Sequence, residues 1–384
     1  MGGRRAQAPF LANYFQFLSR FFHLPSSATN EVRIANLFAS LKHRGPPMTI
    51  KTTKVSICLP TCNRPDLLVR CIESCLMQTH ANIEIVIGDD SSDDRTERLI
   101  ASRYRDDPRI DYRRNLPALG QARNVASLFA RASGDKILLI HDDDYLLVHC
   151  IERLLAQWER YPDLDVAFGD QYETDHHGRI NHAASRRMNA AYRRTASAAG
   201  LQTPPGRAGI VQMFPNNGWL ANAALVKQIG YDDHYGTCCD YVFGTRLCLA
   251  ARRVCYVNEH VSCYRITDVS VSQATRCSVN ASSISAWHFL KGLSLPAELE
   301  PARKLALRRL VPIVVSLLAR NHEARAGLQL ALGNLYAYRF GFSARFYYHL
   351  LMIWKAARLS RGESVALLGM PDEQPVDTSR TRMP

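Results

Sequence analysis

At 384 residues the chain is long enough for one large α/β domain with a smaller appendage. Hydrophobic residues make up 47% of it, which excludes wholesale disorder. A formal net charge of +13 suits anionic partners, whether nucleotide diphosphates, nucleic acid or acidic lipid headgroups, or else a merely solvated basic surface.

Residues 1–47 end in a turn-like run, His43-Arg44-Gly45-Pro46-Pro47, and read as a weakly structured extension. The apolar segment 15–24 is interrupted by Arg20 and lacks a following small-residue cleavage site, so it does not read as a secretory signal. No stretch reaches the roughly 20 apolar residues that span a bilayer. The chain is therefore expected to be soluble or membrane-peripheral, and cytoplasmic. Eleven cysteines show no Cys-x-x-Cys pairing of the zinc type, and they read as reduced, mostly core thiols.

From residue 55 the pattern alternates. An apolar run at 55–60 predicts a buried strand, and 66–78 predicts a helix opened by Arg64-Pro65-Asp66. A second strand at 83–88 ends in an acidic run from Asp89 to Asp94, followed by a helix over 96–105. A strand at 110–112, a helix over 119–132 and a strand at 136–141 follow, the last ending in Asp142-Asp143-Asp144. A helix over 147–161 and a strand at 166–169 complete this part. Strands separated by such helices imply right-handed βαβ units and a largely parallel sheet. Residues 176–216 read as a mobile loop covering the site. A short strand and two helices are expected within 216–230 and 240–251, and a returning strand at 254–264. Beyond 281 the chain reads as helical, with 302–332 and 336–359 forming a separate all-α tail.

Ligands of open α/β sheets lie at the carboxyl ends of the strands, where both acidic clusters fall. Three consecutive carboxylates repel one another, and a divalent cation shared with diphosphate oxygens relieves that repulsion. The alternative is a solvated acidic turn capping the next helix. Asp90 is a candidate acceptor for the ring N–H of a base, whereas Asp93 and Asp94 read as caps. Arg123 reaches a phosphate or base, or makes an ordinary ion pair.

These residues carry a resemblance. Residues 55–61 (VSICLPT) with Asn63 and Arg64, 85–96 (IVIGDDSSDDRT), the set Asn115, Gly120, Ala122, Arg123 and Asn124, and 136–146 (KILLIHDDDYL) resemble, in order and spacing, the motifs of family 2 glycosyltransferases. The resemblance implies the GT-A fold, a Rossmann-like α/β arrangement with a mostly parallel central sheet, over 48–280. A helical region at 281–370 and a disordered tail at 371–384 complete the expected organisation. It implies inverting transfer from a nucleotide-diphospho-sugar of the UDP or dTDP type, with Mn²⁺ or Mg²⁺, onto a saccharide or lipid-linked acceptor in cell-surface polysaccharide synthesis. Pro60, Thr61 and Asn63 would line the base pocket, with Asp90 and Arg123 holding a pyrimidine. Asp142 would serve the ribose, and Asp143 and Asp144 the metal. The family's usual Asp-x-Asp-Asp has His141 at its first position here, which makes Asp143 the expected direct ligand.

Inverting transfer needs a base for the acceptor hydroxyl. The run from Gly230 to Arg246 resembles the region that supplies it, with Asp240 as the base and Cys239 in place of the usual Glu; helix capping is the alternative role of Asp240. Tyr264 and Arg265 resemble a loop that contacts the diphosphate or acceptor. A nucleotidyltransferase is the nearest rival, but Thr61-Cys62-Asn63-Arg64-Pro65 lacks the glycines of its phosphate loop. A catalytically silent nucleotide-sugar binder of the same fold is the other. No zinc pattern or aromatic RNA-binding signature supports nucleic acid as a partner. In the C-terminal helices, basic residues alternate with apolar stripes, and 339–355 adds aromatics. They would either rest on an anionic membrane surface or pack on the catalytic domain with a solvated basic face.

Overall fold

The computed structural model describes residues 52–232, 234–266 and 276–367. The expected extension at 1–47 and tail at 371–384 lie outside these residues. The first half alternates as the sequence predicts: β1 (Val55–Thr61), α1 (Pro65–Leu76), β2 (Ile83–Asp89), α2 (Arg95–Arg103), β3 (Ile110–Arg114), α3 (Gln121–Arg131) and β4 (Lys136–Leu139). Every residue of β1 is buried, which is why it reads as a continuous apolar run. Pro60, which has no N–H to donate, sits beyond Cys58, the last β1 residue paired with β4.

Next come β5 (Tyr145–Leu146), α4 (Cys150–Arg160), β6 (Val166–Thr174), α5 (His182–Ala191), β7 (Gly200–Leu201) and α6 (Gly206–Ile210). They are followed by β8 (Trp219–Asn222), α7 (Ala223–Ile229), α8 (Cys239–Ala250) and β9 (Val254–Arg265). The sheet order is β3-β2-β1-β4-β8-β6-β9-β5, with β7 paired to β9. Parallel pairings of four to nine residues join β1 to β2 and β4, β2 to β3, and β6 to β9. The antiparallel junctions involve only two or three pairs each, so the sheet is mostly parallel.

Two expectations need correction. Residues 176–216 are not a mobile loop: they form α5, a 3-10 turn (Ala196–Ala198), β7 and α6. Buried Arg194 fastens this segment to the sheet, its Nε donating to Asn189 Oδ1 at 2.9 Å and its Nη2 to Gln171 Oε1 at 3.1 Å. Order here comes from such polar bonds and from Ala208, Ile210, Val211 and Met213, which enter the large apolar cluster. Second, the C-terminal helices are not a separate body. They are α9 (Arg276–Gly292), α10 (Glu300–Arg320), α11 (Ala324–Gly333) and α12 (Ala344–Leu367). Leu310, Val311, Val315 and Ile353 belong to the same buried cluster as Trp219 and Phe243. That cluster covers one face of the sheet; the other face buries Ile57, Leu59 and Ile85 against Leu68 and Leu154.

Candidate active site

The strand order fixes where a ligand can enter. From β1 the chain moves outward through β2 to β3, then returns to the other side of β1 as β4. The connections therefore diverge between β1 and β4, and the crevice beyond their carboxyl ends is the expected binding place of such a sheet. Thr61 closes β1, and its hydroxyl donates to Asp142 Oδ2 at 2.8 Å. Arg64, at the start of α1, lies 3.3 Å from Asp142 Oδ1 and 3.2 Å from Asp143 Oδ2. Asp144 is held from the opposite side: Oδ1 accepts from the Arg265 backbone N–H at 2.9 Å and Oδ2 from Asn217 Nδ2 at 2.5 Å. Asn217 Oδ1 accepts in turn from Gln171 and Ser262, each at 2.6 Å.

The helix-cap alternative for the triplet does not apply. Helix α4 begins at Cys150, its N-cap is His149, and no side chain among the described residues caps it. Burial, followed by the charge of Asp143, pushes the Asp142 carboxyl up to about 6. Burial and Asp143 raise Asp144 as well. For His141 burial works downward, but Asp240, Asp144, Asp143 and Asp142 outweigh it and raise the imidazole above its ordinary value. The triplet thus carries more negative charge than its protein partners offset, which fits a hard divalent cation. Among the described residues no three His, Cys, Asp or Glu side chains form a metal-holding group. A cation here would need donor oxygens from its ligand, as Mg²⁺ and Mn²⁺ commonly do with diphosphates.

Asp89 and Asp90 diverge in role. Asp89 is fully buried and structural, accepting from Ser91 N at 2.8 Å and from Tyr112 Oη at 2.7 Å. Asp90 Oδ1 accepts from Asn115 Nδ2 at 2.8 Å and from the Leu119 N–H at 3.1 Å. Asn124 braces Asn115 at 3.2 Å and donates to Gly88 O at 2.8 Å. A Cβ on Gly88 would lie 2.1 Å from Asn124 Oδ1, so glycine is required at that approach. One residue before Asn124, Arg123 is exposed in the first turn of α3. Asn63, expected to line a base pocket, adopts φ 56° and spends its side chain on the neighbouring turn. Its Oδ1 accepts from Ser92 N at 3.0 Å and Ser92 Oγ at 3.1 Å. Exposed Cys62 stands beside it, with Sγ 3.4 Å from Asp90 O.

Asp240 lies in the first turn of α8, which has no side-chain cap bond among the described residues. It accepts a short hydrogen bond from the hydroxyl of Tyr231, and its Oδ1 is 3.8 Å from His141 Nε2. Among the described residues that imidazole nitrogen is buried without a hydrogen-bond partner. Arg265, expected at the diphosphate or acceptor, directs its guanidinium to the carbonyl of His176, with Nε at 3.1 Å, and meets the triplet through its backbone. Tyr264 beside it is half-buried at the end of β9. Arg64, Asn217 and Tyr231 were not assigned roles from sequence. Asn217 lies in Asn216-Asn217-Gly218, which reads as turn punctuation, and its bond to Asp144 spans 73 residues.

Residues 56–214 match the sequence model of Glycosyl transferase family 2. The glycosyltransferase GlyG of Streptococcus pneumoniae serotype 4 is 32% identical over 123 residues, which cover 32% of this chain and 40% of that protein. A Campylobacter jejuni protein named GalNAc(5)-diNAcBac-PP-undecaprenol beta-1,3-glucosyltransferase is 34% identical over 105 residues, 27% of this chain and 34% of that one. The chain thus spans two fifths or less of these relatives. In overall fold it is similar to S. aureus TarS 1-349 in complex with UDP-GlcNAc, with a TM-score of 0.52 and 15% identity over 80% of this chain and 92% of that one. The chain therefore carries a family 2 glycosyltransferase domain built on the GT-A fold.

Proposed function

We propose that this protein is an inverting glycosyltransferase that moves a hexosyl or deoxyhexosyl group from a UDP- or dTDP-type sugar to a hydroxyl of a saccharide or lipid-linked acceptor. Cell-surface polysaccharide synthesis is the setting we infer. The observation that carries the reading is the meeting of Asp240 with His141 at the head of the Asp142–Asp144 triplet. A carboxylate placed to serve as the base and an anion-handling centre thereby share one crevice.

In this reading the base lies against Pro60 and Thr61, and Asp90 uses Oδ2, free of protein hydrogen bonds among the described residues, to accept the ring N–H. Asn63 shapes that wall through its turn rather than by its amide. Arg123 supplies positive charge at the base or phosphate, and Asp142 accepts from the ribose. Mn²⁺ or Mg²⁺ held by Asp143, with Asp144 behind it, would neutralise charge on the departing diphosphate. Arg64, already bonded to Asp142 and Asp143, keeps a cation at the same place. The acceptor oxygen attacks the anomeric carbon opposite the leaving diphosphate while Asp240 takes its proton. The Tyr231 hydroxyl occupies Oδ1, which leaves Oδ2 to receive that proton. Backbone and guanidinium of Arg265, with Tyr264, border the diphosphate or acceptor side. The reading sets the enzyme in the cytoplasm, at the inner face of the membrane when the acceptor is lipid-linked. The name of the Campylobacter jejuni relative, a PP-undecaprenol beta-1,3-glucosyltransferase, supports a lipid-linked acceptor.

A thermal-shift screen of nucleotide-sugars with Mn²⁺ or Mg²⁺ identifies the donor. With that donor, Asp240→Asn should keep binding and lose transfer by roughly 10²–10⁴-fold. Asp143→Asn should lose the metal-dependent part of turnover while keeping its unfolding midpoint. Near-wild-type transfer by either variant removes the corresponding role. Release of pyrophosphate in place of a nucleoside diphosphate would assign the chain to nucleotidyl transfer instead.

A further inference from the structure

The C-terminal helices leave an apolar surface that the core does not use. Helix α12 buries Phe346, Ile353 and Ala356 on one face, with His349 bonded to the Tyr338 hydroxyl at 2.8 Å. Its opposite face shows Tyr347, Leu351 and Trp354 at helical spacing, flanked by Tyr348. The turn that leads into this helix adds Phe340 and Phe342, which are 74% and 89% exposed. Arg339 and Phe340 both hold positive φ, an unusual conformation for bulky residues, so the turn presents the phenyl ring to solvent against its own preference. Monomeric proteins seldom leave such a cluster uncovered without a use.

The charges around it have one sign. Arg339, Arg345 and Lys355 are exposed, and Arg358 lies over the Trp354 ring with its guanidinium 3.7 Å from the centroid. No Asp or Glu occurs from residue 324 to residue 362. A second copy meeting this face across a two-fold axis would set like charges against each other. An anionic lipid surface complements it instead: the aromatic rings suit the headgroup boundary, and the basic groups suit the phosphates.

We propose that the Phe340–Phe342 turn and the exposed face of α12 form a docking surface for an anionic phospholipid bilayer. The chain lies on the membrane at this patch, and among the described residues no helix is long and apolar enough to cross one. The inference bears on a lipid-linked acceptor but does not depend on glycosyl transfer, because binding is measured without donor or acceptor.

Flotation compares vesicles of phosphatidylcholine with vesicles that also contain phosphatidylglycerol. The full chain should float with the anionic vesicles at low salt and release at high salt. Phe340→Ser with Phe342→Ser, and separately Arg345→Glu with Lys355→Glu, should each weaken binding about tenfold or more while the unfolding midpoint stays unchanged. A blue shift of tryptophan emission on vesicle addition should disappear in Trp354→Phe. Absence of flotation at low salt overturns the proposal, as does flotation that both double variants retain. So does a dimer in solution that these substitutions dissociate, or capture of single-stranded oligonucleotides without vesicle binding.

Discussion

Tyr231 is a buried ring whose hydroxyl meets Asp240, with Cys239 beside it. It packs edge-on to Phe129 with centroids 5.9 Å apart and donates to Asp240. Tyr231→Phe keeps the packing and removes the donor, so Asp240 loses the contact that fixes its free oxygen. Donor affinity should stay near wild type and kcat should fall by about tenfold or more. An unchanged kcat would show that α8 alone orients Asp240. The legibility of single residues divides in the same way. Asp142, Asp143 and Asp144 could be singled out because adjacent carboxylates after an apolar strand are rare and costly. Arg64, Asn217 and Tyr231 could not, because each draws its role from a partner 9 to 79 residues away. Asn63 was readable as part of a motif, yet its amide serves the Ser92 turn, a use visible only once two loops meet.

Glu84 shows how one element is tied to its neighbours. From β2 it accepts from Ser56 of β1 at 2.5 Å and from Ser133 N and Oγ at 2.6 and 2.7 Å, and it pairs with Lys54 at 2.6 Å. Burial alone would raise its carboxyl, but Lys54, Ser56 and Ser133 together bring it down to about 2. The folded value lies below the ordinary 4.5, so the clamp's stabilisation is complete above that pH and is lost as pH falls toward 2. Glu84→Gln should therefore cost about 1–2 kcal/mol at neutral pH, discounted for partial exposure. In denaturant titrations the difference should shrink as the pH falls from 4.5 toward 2. A difference independent of pH would mean that shape, not charge, makes the clamp. At this scale β1, β2 and β4 were legible as apolar runs. The two-residue strands β5 and β7 were not, since so short a pairing leaves no alternation to read.

Helix α10 joins the catalytic sheet to the C-terminal helices. Leu310 shares a buried cluster with Trp219 of β8 and Phe243 of α8. Leu310→Ala should lower stability by about 2–5 kcal/mol. Unfolding should remain one transition, since the sheet and helices share this core. Two resolved transitions would reveal independent bodies. The sequence supports helices beyond 281 through their periodicity, but periodicity names a buried face without naming what covers it. That is why a separate tail was the natural reading and a continuous core was not.

Cys62, one residue past the end of β1, has a practical consequence. The other nine described cysteines are buried, so a thiol-directed reagent meets this sulfur first among them. Burial, then the charges of Asp90, Asp89 and Asp142, raise its thiol above the ordinary value, so alkaline medium speeds its modification. The native chain thereby offers an attachment point for a fluorophore at the crevice mouth, and occupancy there can be followed by light without altering a residue.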